Sequence, residues 1–159
     1  MNSISVDPNT SLILALIKMA QADGSVSHFE QMNITMLSNT LGVDHGVIAT
    51  LKKDLDQVSI VPPETYEQKT EFFWRILTMM KMDMYAHEKE IQLCHDLGIA
   101  LGLPRHEVEA LVHYMSLNLK KFISLETFEK QLADFKSNPE FKAKKSLMMR
   151  LLDWMNLNI

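Results

Sequence analysis

Asp23-Gly24-Ser25-Val26-Ser27-His28-Phe29-Glu30 decides the reading of this chain, because Asp83-Met84-Tyr85-Ala86-His87-Glu88-Lys89-Glu90 repeats its plan sixty residues on. Each stretch opens on Asp and closes on Glu at the same spacing, and each is followed by a Leu-Gly pair, Leu41-Gly42 and Leu101-Gly102. The same register aligns Met19 with Met79, Leu37 with Leu97 and Leu51 with Leu111. Acidic, glycine and apolar positions held in step over such a length point to an internal duplication, with repeats at residues 10–58 and 70–118.

Outward from that stretch the pattern is helical almost throughout, and strand-like alternation is nearly absent. Leu12, Leu16, Met19 and Ala20 or Ala22 form an apolar stripe that predicts a helix over 9–22, ended by Gly24. Ser27 and Glu30 then read as a capping box opening a second helix that runs to Leu41 and closes at Gly42. Asp44 caps a third helix through Leu51 and Leu55, which stops before the Pro62-Pro63 hinge. In the second copy, a long helix from Glu64 carries Phe72, Phe73, Ile76, Leu77 and Met80 toward Asp83. Another runs from about His87 to Leu101, and Pro104 opens one with Val108, Leu111 and Met115 facing inward. Beyond the repeat, Ser124 to Phe135 and Pro139 to Asn156 predict two amphipathic helices, marked by Leu125, Phe128, Leu132 and Phe135, then by Leu147, Leu151 and Trp154. The expected architecture is an all-α bundle of two duplicated three-helix units plus two C-terminal helices. It forms one domain over 1–159, with an extension at 120–159 packed on the 10–118 core.

A chain of 159 residues buries a substantial core without covalent staples. The lone cysteine, Cys94, lies among Ile91, Leu93 and Leu97, so it has no internal disulfide partner and reads as a small apolar core residue. A reducing, cytoplasmic setting is expected, with neither a signal peptide nor an apolar run long enough to span a membrane. Residues 1–119 carry 8 Lys/Arg against 15 Asp/Glu, whereas residues 120–159 carry 8 against 5. An acidic body of this kind argues against nucleic acid as a partner, whose footprint is basic. Lys142, Lys144 and Lys145 read as a solvated helix face. Met79, Met80, Met82 and Met84 point in different directions around a helix, so they read as core packing and not as a soft-cation site.

The carboxylates carry the chemistry. Each Asp sits where one helix ends and each Glu in the first turn of the next, which brings both to one interhelical corner. Glu30 offsets the positive end of its helix, and Asp23 can accept N–H groups across the turn. An Asp at a helix C-terminus is nevertheless opposed by that helix's dipole, and a hard divalent cation would relieve the conflict. Asp23 to Glu30 even matches the second half of an EF-hand loop, but Met19 and Gln21 stand at its first and third positions, where oxygen ligands are required.

Ala20-Gln21-Ala22-Asp23-Gly24-Ser25-Val26-Ser27-His28-Phe29-Glu30, followed by an apolar helix ending in Leu41-Gly42-Val43, resembles the signature of the TerB family. These are the tellurite-resistance protein B-like domains, also found at the N-terminus of some membrane-anchored J-domain cochaperones. The second copy resembles the family's repeat, although Met82-Asp83-Met84-Tyr85-Ala86 departs from its usual Ala-Asp-Gly. The resemblance covers roughly residues 10–118 and leaves the last forty unmatched. It implies an all-helical domain whose acidic residues, here Asp23, Glu30, Asp83 and Glu90, gather on one surface and bind a divalent metal such as Ca²⁺, Mg²⁺ or Zn²⁺ weakly. It also implies another protein as partner, within a bacterial stress-response and peripheral membrane-associated assembly.

His106, Glu109 and His113, and the looser set His87, Glu88 and His95, offer zinc-type donors without a recognised ligand spacing. No nucleophile elbow, phosphate loop or metalloprotease motif occurs. The expected function is a non-enzymatic metal-binding or interaction module. A metal-dependent enzyme such as a hydrolase, using the same acidic cluster, is the alternative.

Overall fold

Asp7 accepts the Thr10 N–H through Oδ1 at 3.0 Å, and Pro8 brings a φ already suited to the first helical position, so α1 (Pro8–Ala20) begins there. The computed structural model describes residues 6–22, 24–82, 84–138 and Glu140. Among them are seven α-helices, one 3-10 helix and no strand. No helix among the described residues is long and apolar enough to cross a membrane. The chain divides into two compact units, Met1–Phe122 and Ile123–Ile159.

Within the first unit, α1 packs against α2 (His28–Leu41), against α3 (His45–Leu51) with the 3-10 helix Lys52–Gln57 that continues it, and against α4 (Tyr66–Met80). The helix α4 in turn packs against α5 (Glu88–Ala100) and α6 (Arg105–Ser116). The pair α1 and α4 is therefore the spine on which the others lie. The reading of α1 as a single apolar stripe is too narrow: Leu12 to Ile17, Met19 and Ala20 are all buried. The run Leu12-Ile13-Leu14-Ala15-Leu16-Ile17 is apolar on every side, and such a helix belongs inside a bundle. Phe72, Phe73, Ile76, Leu77 and Met80 on α4, and Val108, Leu111 and Met115 on α6, face the core as their spacing predicts.

Caps explain most boundaries. Thr65 and Gln68 form a capping box at α4, with Gln68 N–H donating to Thr65 Oγ1 at 3.2 Å. Asp44 Oδ1 accepts the Gly46 and Val47 N–H groups at 2.7 and 3.2 Å, which opens α3. The third helix of the first copy is shorter than expected, because Asp54 leaves helical geometry (φ −129°, ψ 45°). Aspartate competes for nearby backbone donors and is a poor interior helix residue. The hinge before Pro62-Pro63 is tied down: Ser11 Oγ donates to Pro8 O and accepts the Val61 N–H, both at 2.9 Å.

In the second unit, Ser124 Oγ accepts the Thr127 N–H at 3.1 Å and opens α7 (Leu125–Ser137), which buries Phe128 and Leu132. The last predicted helix, from Pro139 to Asn156, lies outside the described residues apart from Glu140.

Candidate functional site

The two corners singled out by the repeat are built by the same backbone hydrogen bonds. After α1, Gln21 N–H donates to Ile17 O at 3.0 Å, Ala22 N–H to Met19 O at 3.2 Å and Gly24 N–H to Gln21 O at 3.0 Å. After α4, Lys81 N–H donates to Leu77 O at 3.2 Å, Met82 N–H to Met79 O at 3.1 Å and Met84 N–H to Lys81 O at 2.9 Å. The downstream turns correspond as well, with Val43 N–H on Ser38 O and Leu103 N–H on Gly98 O. Gly24 and Met84 both have positive φ, 95° and 63°. Methionine thus holds a left-handed conformation at a cost of about 1–2 kcal/mol, so its departure from glycine leaves the path of the turn intact.

Each corner ends in a buried glutamate that reaches back to its helix cap. Glu30 Oε2 accepts the Ser27 N–H at 2.7 Å while Glu30 N–H donates to Ser27 Oγ at 3.2 Å, which completes the expected capping box. Glu90 Oε2 accepts the His87 N–H at 3.2 Å. The two residues are 5 % and 2 % exposed. The cap engages only Oε2, so the remaining oxygen of Glu30 suits a hard cation. Asp23 and Asp83, the other two predicted ligands, lie outside the described residues. Among the described residues, no three His, Cys, Asp or Glu side chains gather as a metal would require. Glu109 and His113 are exposed on α6. Met19 is fully buried in the core, which leaves an EF-hand without its first ligand.

The corners differ in charge. At the position of exposed Gln21 the second copy has Lys81, which is buried and donates through Nζ to Lys121 O at 2.6 Å. Burial pushes its ammonium below the ordinary lysine value. The second turn thus carries a basic residue where the first carries a neutral one. The only advance signal for this residue was its register with Gln21. A second polar contact that sequence reasoning missed joins Tyr66 Oη to buried Glu107 Oε2 at 2.9 Å, between partners too far apart in the chain to leave a local pattern.

A cavity of about 360 Å³ opens elsewhere in the unit, beside Val6, Asp7, Thr10, Gly42, Asp44 and Val47. Its carboxylates are already engaged as caps: Asp7 holds the Thr10 N–H and hydroxyl, and Asp44 holds Gly46 and Val47. Neither Glu30 nor Glu90 lines it.

The family model described as Tellurite resistance protein TerB matches residues 1–53. That segment is TerB-like. It contains α1, the Gly24 turn, the Ser27–Glu30 box and α3, so the resemblance read from Ala20 to Val43 holds over the first copy. The match ends before α4, and the second copy stands outside it. No curated protein and no solved structure matches the chain.

Proposed function

We propose that this chain is a non-enzymatic TerB-like module of two three-helix units, about residues 10–58 and 70–118, that binds a divalent cation weakly and works through another protein in a stress-response assembly. The observation that carries the reading is Glu30. Its carboxylate is buried in the turn after Gly24, inside the TerB-like segment, and the helix cap uses only one of its oxygens. Asp23, seven residues earlier, supplies the second carboxylate of that corner. Asp83 and Glu90 form the weaker pair, because a basic residue, Lys81, stands in their turn where the first copy has Gln21. The duplication is supported by the backbone hydrogen bonds that recur at matching positions of both corners. A solution or crystal structure in which 10–58 and 70–118 have different helix arrangements overturns that part of the reading.

Titration calorimetry with Ca²⁺, Mg²⁺ and Zn²⁺ on the whole chain tests the cation site. A hundredfold excess of a binding ion over its dissociation constant raises stability by about 2.7 kcal/mol through mass action. The double variant Asp23→Asn with Glu30→Gln removes this gain while keeping the caps, since amides still accept N–H groups. Asp83→Asn with Glu90→Gln has the smaller effect. Absence of heat with all three ions, or undiminished binding by the first double variant, leaves the corners as caps alone.

A further inference from the structure

The outer face of α2 is apolar where a solvated helix is not. Phe29, Met32 and Met36 are 72 %, 46 % and 65 % exposed, and their spacing places them on one face of the helix. The opposite face buries Glu30, Ile34, Leu37 and Ser38. The second copy provides an internal control. The matching positions on α5 are Lys89, Gln92 and Asp96, all exposed, with Gln92 Nε2 donating to Asp96 Oδ1 at 3.1 Å. The same place in the same turn-and-helix plan therefore accepts charge, and nothing in the local fold requires the apolar residues of α2.

We propose that this face is where two copies of the chain associate, helix α2 against helix α2 about a two-fold axis near Met32. Charge selects the occupant. Residues 1–119 carry 15 carboxylates against 8 Lys/Arg, so two copies repel each other where these acidic segments meet. The helix α2 has no lysine, arginine or aspartate, and its one glutamate is buried. It is a face on which an acidic chain meets itself without opposing like charge. A partner recruited by positive charge would instead be served by carboxylates along this strip, and there are none. An isologous contact lays a patch upon itself, so antiparallel α2 helices bring the Phe29 ring of one copy beside the Met36 thioether of the other, a favourable sulfur–aromatic pairing.

The test is sedimentation equilibrium of the full chain from ~10 µM to ~1 mM, the range in which small interfaces assemble. A monomer–dimer equilibrium is expected, and Phe29→Glu or Met36→Glu weakens it by at least about tenfold. Gln92→Glu on α5 leaves it unchanged. Both α2 variants are compatible with folding, since the residues are exposed and glutamate is a good helix former. Under mild oxidation Met32→Cys forms a covalent dimer faster than Gln92→Cys does. A chain that stays monomeric over the whole range overturns the proposal, whatever else covers the face. So does a dimer indifferent to both glutamate variants, or equal cross-linking at the two cysteines.

Discussion

The ring of Phe73 lies so close to the backbone of Gly98 that a Cβ there would meet ring atom Cε2 at 2.8 Å and Val108 Cγ1 at 2.9 Å. This is a close seam between α4 and α5, and it is made by the absence of a side chain. Gly98→Ala gains about 1 kcal/mol of helix propensity but incurs an overpacking strain of about 1–3 kcal/mol, because neither an aromatic ring nor a valine methyl has room to yield. A net loss of about 1 kcal/mol or more is expected in urea denaturation, together with perturbed Phe73 ring signals in NMR spectra. A variant as stable as the parent contradicts the seam.

Asp7 gives the fold an acid-sensitive start. The Thr10 hydroxyl, and after it the backbone N–H groups, hold its carboxyl below the ordinary value of 3.8. The folded state therefore binds fewer protons than the unfolded one as pH falls, so the stabilisation is complete above pH 3.8 and disappears as pH drops through the lowered value. Asp7→Asn keeps an acceptor and loses the charge at the N-terminus of α1. At neutral pH it should be about 0.3–1 kcal/mol less stable than the parent, and the two unfolding curves should converge in strong acid. A gap that stays constant with pH would show that charge has no part in the cap.

Lys81 has a dependence of the same sign at the alkaline end. Burial lowers its pKa from the ordinary 10.5, so across the interval between the lowered value and 10.5 the unfolded chain holds more protons than the folded one. Stability contributed by this site rises with pH over that interval. Relative to Lys81→Met, the parent should gain stability as pH rises from the lowered value toward 10.5, because the penalty for a buried ammonium is relieved as it deprotonates. Parallel pH profiles for the two proteins would contradict this.

Cys94 should be silent to thiol reagents until the fold opens. It is fully buried, its Sγ lies 3.6 Å from Met80 Sδ, and burial, with a smaller effect from Glu90, pushes the thiol well above its ordinary range. Reaction needs both access and thiolate, and the fold withholds both. An aromatic disulfide reagent should label one thiol per chain in denaturant and almost none in the native state, at a rate set by unfolding. Rapid native labelling would place Cys94 outside the core.

Helix positions and caps were legible in the sequence because they depend on residues three or four apart. Ser27 with Glu30, Asp44 before α3 and Gly42 after α2 each satisfy orphan backbone groups within a single turn, and Pro104 marks the start of α6. The sixty-residue recurrence of local patterns was legible for the same reason, but that Met84 holds a left-handed turn without a glycine was not, since its side chain reads as a departure from the pattern. Spacing placed the inward residues of α4 and α6, but only tertiary structure decided how far burial extends round α1 and which apolar residues of α2 stay outside. A helical stripe gives direction but no partner. Only packing against α4 on one side and α2 and α3 on others shows α1 to be buried all round, while Phe29, Met32 and Met36, no less apolar, are left in water. Tertiary structure also brought Lys81 to the Lys121 carbonyl and Tyr66 to Glu107, contacts between groups some forty residues apart. No local rule reaches that far, because burial depends on which surfaces meet and the chain path that joins them is set by the whole bundle.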